Sequence, residues 1–315
     1  MSSGEGRFDV LCVGETMVMV TPAEAGRLDA HTHTLLCPGG AESNVAMHLA
    51  ALGRTAAWAG QLGDDPFARI ILDELRTAGV DTSLVRRVGD APTGVYFKDP
   101  GPDGTTVYYY RSGSAASRMS PAAVAGWSAV GAAVLHVSGI TPSLSDDCLA
   151  LTRHLVHDRP VGDRIAFDVN HRIKLATDAT PSILLELAQA SDIVFVGRDE
   201  AESLWGTATA ESVRELLDRP DHVVVKDADV EAVEFMGDVV ARIPSPRVDV
   251  VETVGAGDAF AAGWLSAYLD DATPGVRLAL GHYVASRVLG SATDHAPLGA
   301  PADIAAALAR PTLDW

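Results

Sequence analysis

An open α/β domain with a small β lid is the fold this sequence predicts, and three observations predict it. Short apolar, β-rich runs recur along the 315 residues, helix-sized stretches separate them, and two segments that break the alternation read as hairpins. In order, Phe8–Val13 is an apolar run ending at Gly14, as a buried strand does. Asn44–Leu52 reads as helix, and so does Asp65–Ala78, where Phe67, Ile70, Ile71 and Leu75 fall at helical spacing. Ala132–Val137, Ile165–Val169, Ile193–Val196 and His222–Val225 read as strands, with helices at Asp146–His157, Ser182–Ala190 and Ala210–Leu217 between them. Strands with no polar alternation are buried on both faces, which implies a mostly parallel sheet between two helical layers.

Glu15–Leu36 and Thr93–Arg111 lack helical periodicity and carry short strand-like pieces, Met17–Val20, Gly94–Phe97 and Thr106–Tyr110. Turn-formers at Pro100-Gly101-Pro102-Asp103-Gly104 separate the last two. The expectation is a lid formed by about 15–36 and 93–111 over the carboxyl edge of the sheet, where open α/β sheets bind ligands. With no internal repeat, low-complexity tract or long linker, residues 1–315 read as a single domain.

Bulk composition narrows the function. A net charge of −18 argues against nucleic acid, whose phosphates need a basic patch, and against an anionic membrane surface. No apolar run reaches the roughly 18–20 residues of a membrane helix, and the N-terminus lacks the apolar core of a signal peptide. Cys12, Cys37 and Cys148 fit neither a disulfide framework nor zinc spacing and read as reduced, mostly buried thiols. A cytoplasmic setting is expected. His31, His33, His154 and His157 read as surface residues. Lys98, Lys174 and Lys226 are the only lysines, so any of them beside a pocket stands out.

The chemistry concentrates in Glu252-Thr253-Val254-Gly255-Ala256-Gly257-Asp258, which leads into an apolar helix containing Phe260, Trp264, Leu265, Tyr268 and Leu269. Small residues before a helix let backbone N–H groups close on an anion, and the helix dipole adds positive potential there. An aspartate in the first turn can take a proton from an attacking hydroxyl while the Gly-Ala-Gly backbone stabilises a transferring phosphoryl group. A P-loop is excluded because no lysine follows any glycine, and the dinucleotide fingerprint fails at Phe260. A plain glycine-rich turn with Asp258 as a helix-terminal charge is the other reading of this segment by itself.

Thr253 followed by Gly255-Ala256-Gly257-Asp258 resembles the C-terminal signature of the ribokinase-like (PfkB-type) carbohydrate kinases. Gly39-Gly40-Ala41-Glu42-Ser43-Asn44-Val45-Ala46, then Leu52-Gly53 and Gly60-Gln61-Leu62-Gly63-Asp64-Asp65, resembles their N-terminal signature. The resemblance implies a three-layer α/β/α fold, ATP with Mg²⁺, and Asp258 as catalytic base with Gly255, Ala256 and Gly257 as its anion hole. Where many neutral-sugar kinases of the family carry an aspartate, Gly14-Glu15-Thr16-Met17-Val18-Met19 places Met19. Together with the segments Tyr108-Tyr109-Tyr110-Arg111 and Asp168-Val169-Asn170-His171-Arg172, this resembles the 2-keto-3-deoxygluconate kinases, whose substrate is a sugar acid.

Carried over by position, the resemblance implies that Gly39, Gly40 and Asn44 hold substrate, that Tyr96 and Tyr109 cover the sugar, and that Asp294 meets its hydroxyls. Arg111 and Arg172 would take the acidic end or the phosphates. Lys174, Gly197 and Lys226, with Gly255 and Gly257, would line the nucleotide. Glu200 would act on Mg²⁺ through water or phosphate, and Glu252 would sit at a loop for a monovalent cation, K⁺. Three departures touch the nucleotide or cation side, one being that the expected Asn-x-x-Glu element reads Gly197-Arg198-Asp199-Glu200, with the glutamate kept and the asparagine lost. The leading aspartate of the signature is Glu252, and the expected Lys-x-Gly-x-x-Gly loop reads Lys226-Asp227-Ala228-Asp229-Val230-Glu231. The expected activity is phosphorylation of the terminal hydroxyl of 2-keto-3-deoxygluconate or a close sugar acid. The alternatives are a kinase for a fructose- or ribose-type sugar or a nucleoside, and a non-catalytic sugar-acid-binding homologue. Exposed lid edges suggest a homo-oligomer built through the lid.

Overall fold

The computed structural model describes residues 7–24, 26–102, 104–124, 127, 130–291 and 293–309. Asp103 of the expected lid turn and all but Arg7 of the N-terminal segment read above lie outside them. The chain runs β1 (Arg7–Val13), β2 (Met17–Pro22), β3 (Thr34–Gly39), α1 (Ala41–Ala51), β4 (Ala56–Ala59), β5 (Gln61–Gly63), α2 (Pro66–Thr77) and β6 (Arg86–Val88). It continues through β7 (Val95–Gly101), β8 (Gly104–Tyr110), β9 (Gly131–Ser138), α3 (Asp146–Arg153), β10 (Arg164–Asp168), α4 (Thr180–Gln189), β11 (Ile193–Gly197), α5 (Arg198–Trp205) and α6 (Ala210–Leu216). It ends with β12 (His222–Asp227), β13 (Glu231–Met236), β14 (Val239–Pro244), α7 (Ala256–Leu269), α8 (Pro274–Leu289) and α9 (Pro301–Leu308).

Eight strands form the main sheet in the order β14-β13-β12-β11-β10-β9-β1-β4. Its six members from β12 to β4 are parallel, and β13 and β14 extend it as an antiparallel hairpin. The parallel strands carry the apolar runs read from the sequence because each is covered twice. On one face Val10, Trp58, Phe195 and Val224 pack with Leu49, Ile71, Trp264 and Leu278 from helices α1, α2, α7 and α8. On the other, Leu11, Leu135, Phe167 and Val223 pack with Leu151, Leu184, Ala201 and Val213 from α3 to α6. The fold is therefore the expected three-layer α/β/α arrangement.

Glycine lets α7 and α8 approach closely. A Cβ at Gly263 would stand 2.5 Å from the Leu280 carbonyl oxygen, and one at Gly281 would stand 2.9 Å from the Phe260 ring. This contact fixes α7, whose first turn carries Asp258.

The second sheet has the order β3-β2-β7-β8. Two antiparallel hairpins, β2–β3 and β7–β8, meet through a parallel β2–β7 pairing. The expectation of hairpins standing outside the main sheet is met, with β3 extending to Gly39 and so tying the lid directly to α1. Met17, Met19 and Tyr96 form its small buried core. Cys12, Cys37 and Cys148 are all unpaired, and Cys37 is only partly buried. Among the described residues no helix is long and apolar enough to cross a membrane.

Candidate active site

Five parallel strands bring residues to one end of the sheet. Gly14 follows β1, Ser138 and Asp168 close β9 and β10, Gly197 ends β11, and Lys226 lies near the end of β12. Helix α7 begins across from them, capped by Gly255 in the left-handed region at φ 87°. A side chain there would be strained by its backbone and would meet Asp294, whose Cβ lies 3.1 Å from the position a Gly255 Cβ would take.

Asp258 stands in the first turn of α7 and is 6% exposed. Asn44 Nδ2, from α1, donates to its Oδ2 at 2.9 Å, and Asn170 Nδ2 donates to Oδ1 at 3.2 Å. Asn170 itself has φ 39°, an uncommon conformation for a residue with a side chain. Burial pushes the Asp258 carboxyl up to about 7 against the hydrogen bond from Asn44 and the charges of Arg172 and Lys226, while Asp168 raises it further. A carboxyl poised there is matched to taking a proton near neutral pH.

Lys226 Nζ donates to both Asp168 oxygens, at 3.0 and 3.3 Å, and lies 3.4 Å from where a Cβ on Gly257 would be. Burial works against its charge, yet Asp168, Glu200 and Asp258 hold its pKa above the ordinary lysine value. A positive charge is thus fixed beside the Gly255–Gly257 backbone. Glu200, in the first turn of α5, accepts from the Gly197 N–H at 2.8 Å and the His171 N–H at 3.0 Å. It organises the backbone on either side of the site.

Glu42 was not singled out from the sequence. Its Oε1 accepts from the Ser138 N–H at 3.1 Å and the Ser138 hydroxyl at 2.7 Å, and its Oε2 has no partner. Burial pushes this carboxyl to about 7, with Asp258 adding to the shift. Gly14 makes room for it, since a Cβ there would fall 2.1 Å from the Glu42 carboxyl carbon. The place of Glu42 in the quoted N-terminal signature, two residues before Asn44, was the available signal. Asp168 and Asn170 were quoted within a motif but given no role, and the positive φ that aims Asn170 is invisible in the sequence.

The lid supplies the remaining groups. Gly39 must be glycine because a Cβ there would meet the Tyr96 hydroxyl at 2.1 Å, and a Cβ at Gly40 would meet the Glu15 carbonyl oxygen at 2.3 Å. Tyr109 lies tilted against Tyr96, with ring centroids 5.6 Å apart, and has the Arg111 guanidinium and the Lys174 ammonium 5.5 and 5.7 Å from its ring centroid. Tyr109, Arg111, His171, Arg172 and Lys174 help line a cleft of about 960 Å³ between β8 and the segment after β10.

Four of the residues read from the sequence already have partners within the protein. Arg111 is ion-paired with buried Glu15, which also accepts from the Ser114 hydroxyl at 3.1 Å, so only part of its guanidinium remains; its buried Nε has no partner. Asp294 is already engaged by the lid, accepting from the Tyr96 hydroxyl at 3.0 Å and from Lys98 Nζ at 2.7 Å. Lys174 donates to the Val107 carbonyl of the lid at 2.8 Å. Glu252 accepts from its own loop, the Thr253 and Val254 N–H groups at 2.9 and 3.3 Å, and lies 3.6 Å from Lys98. Lys98 was flagged only as a rare lysine, because strand alternation does not reveal an ammonium turned into the core.

The altered nucleotide loop is a hairpin turn between β12 and β13. Asp227 is neutralised by Arg198 Nε at 2.9 Å, and Glu231 is paired with Arg242. Ala228, where glycine was expected, keeps a left-handed φ of 40°.

Residues 7–299 match the family described as pfkB family carbohydrate kinase. A 2-dehydro-3-deoxygluconokinase of Bacillus subtilis (strain 168) is 38% identical over 274 residues, covering 84% of each chain. A 2-dehydro-3-deoxygalactonokinase of Haloferax volcanii is 33% identical over 82% of this chain and 83% of its own. Among solved structures, a PfkB protein from Polaromonas sp. JS666 superposes with a TM-score of 0.84 at 30% identity, over 95% of this chain and 99% of that one. A fructokinase from Vibrio cholerae O395, in a fructose-, ADP- and potassium-bound form, gives 0.81 at 22% identity, over 98% and 100%.

Proposed function

The chain belongs to the pfkB family of carbohydrate kinases, and on that footing we propose that it transfers the γ-phosphoryl group of ATP to the terminal hydroxyl of 2-keto-3-deoxygluconate or a close sugar acid. The observation that carries the acidic substrate is the cleft under the lid, where Arg172, Lys174 and the rest of the Arg111 guanidinium converge beside Tyr109. In a chain of net charge −18 this is a local reversal of sign. A carboxylate fits it, since charge-assisted hydrogen bonds to arginine contribute about 1.5–3 kcal/mol each. The 2-dehydro-3-deoxygluconokinase relative supports the same reading.

The substrate hydroxyl would reach Asp258, whose two oxygens are aimed by Asn44 and Asn170. As the hydroxyl oxygen bonds to the γ-phosphorus, the bond to the β,γ-bridging oxygen breaks, ADP leaves, and the hydroxyl proton passes to the Asp258 carboxylate. The charge gathering on the transferred group is met by the Gly255–Gly257 backbone at the head of α7 and by Lys226. ATP would bring the phosphoryl group, and Mg²⁺ bound with it would supply charge shielding. Among the described residues no cluster of three or more carboxylate, imidazole or thiol groups forms a metal cage. This suits an ion held mainly by phosphates and water, with Glu200 acting indirectly. A potassium ion does not fit at Glu252, because Lys98 already stands against that carboxylate.

The outer lid exposes Leu35, Leu36, Tyr108 and Tyr110 and is proposed as the contact between subunits. The proposed setting is the cytoplasm, where ATP is available and Cys12, Cys37 and Cys148 stay reduced. Replacing Arg172 by Ala tests the substrate assignment. KM for 2-keto-3-deoxygluconate is expected to rise about 10- to 100-fold, the loss of one charge-assisted contact, with little change for fructose. Equal effects on both sugars would contradict an anionic substrate.

A further inference from the structure

We infer that Lys98 is a built-in monovalent cation: its ammonium, held between Asp294 and Glu252, takes the place a potassium ion would fill beside the phosphoryl-binding loop and makes the enzyme independent of K⁺. Lys98 projects from lid strand β7 and is 1% exposed, with Nζ 2.7 Å from Asp294 Oδ1 and 3.6 Å from Glu252 Oε2. A buried ammonium is costly unless carboxylates converge on it, and here two do. Their remaining oxygens are satisfied by the Tyr96 hydroxyl and by the Thr253 and Val254 N–H groups.

Both carboxylates belong to the edge of the catalytic loop. Glu252 lies three residues before Gly255, and Asp294 sits against Gly255 itself. A positive charge that fixes these two groups therefore fixes the backbone that receives the phosphoryl group. The Glu252 departure noted in the sequence now has a physical partner. An aspartate would retract the carboxylate by roughly 1.5 Å, one C–C bond, and leave it out of reach of Lys98. Potassium added between the same two carboxylates would meet the ammonium that already occupies them.

The inference rests on the kinase activity and not on which sugar is the acceptor. ADP release and thermal midpoint are measured in potassium, sodium and choline chloride at equal ionic strength, for the native chain and for Lys98→Ala. The native chain is expected to turn over within about twofold in all three salts, with an unchanged midpoint. Lys98→Ala is expected to lose at least tenfold in rate and several degrees in midpoint in choline, and to regain much of both with K⁺ or ethylammonium. The midpoint needs no turnover, so silence on every sugar would count against the kinase reading while leaving this test readable. A native rate at least tenfold higher in potassium than in choline, or a native midpoint raised by K⁺, overturns the inference. A folded Lys98→Ala that responds to neither cation overturns it too. If the variant fails to fold, the salt series on the native chain decides alone.

Discussion

Asp258 carries the central chemical claim, and its environment sets two measurable expectations. Asp258→Asn removes the base while keeping the shape of the site, so kcat is expected to fall about 10²- to 10⁴-fold with the fold retained by circular dichroism. Because the carboxyl is raised to about 7 by burial, the native rate should climb with pH through a limb near 7. A profile flat from pH 5.5 to 8 would remove Asp258 from that role. The shift also bears on stability. A carboxyl whose folded pKa exceeds its unfolded value contributes stability that is full below the unfolded value and is lost as pH rises through about 7. His48 has the opposite sign. It lies in α1 one turn from Asn44, stacked on His295 at 4.9 Å, and burial depresses it to about 3 from 6.5. Its contribution is full at neutral pH and is lost as pH falls below 6.5, so His48→Phe should gain about 2 kcal/mol at pH 5 relative to pH 8. Urea melts at the two pH values measure that difference. At this scale Asp258 and Asn44 were legible because signatures carry them. Glu42, Lys98 and Asn170 were not, since burial and φ place their side chains and no spacing does.

The turn between β12 and β13 shows how an element can keep a shape after losing the residue that favours it. The loop that lacks its expected glycines carries three carboxylates, Asp227, Asp229 and Glu231, and Arg198 and Arg242 pair the first and the last. What remains is backbone strain at Ala228, φ 40°, where a Cβ in the left-handed region costs roughly 1–2 kcal/mol. Ala228→Gly is therefore expected to stabilise the protein by about 1 kcal/mol, whereas glycine for alanine in most settings destabilises. A fall in the unfolding midpoint would show the strain to be relieved some other way. Strands were the most legible elements, because burial on both faces leaves uninterrupted apolar runs. Helix α8 was less so: it is buried on nearly every side, including Arg277 and His282, and shows little amphipathic period. The β13–β14 hairpin escaped notice because Glu234, at its centre, is buried as the acceptor for Arg277, Trp264 and His222.

Across the whole molecule, an acidic α/β/α body carries Asp258 and the Gly255–Gly257 loop, and a four-stranded second sheet contributes one wall of the basic cleft. The lid is tied down by Tyr96 and Lys98 on Asp294 and by Lys174 on Val107. The three-layer class and the lid were legible from alternation and its two interruptions. The pairing of lid residues with the C-terminal loop was not, because it joins positions nearly 200 residues apart. Light scattering is expected to find at least a dimer, and Leu36→Asp with Tyr110→Asp, both on the exposed lid, is expected to yield monomers. Dissociation without loss of the fold would place the contact there, and a native monomer would remove it. The most direct test of the account is ADP release with ATP and Mg²⁺, comparing 2-keto-3-deoxygluconate with fructose, ribose and adenosine. Turnover on the sugar acid at least tenfold above the three neutral acceptors is the predicted result. Preferential turnover of a neutral acceptor, or sugar-acid binding with no ADP formed, would contradict it.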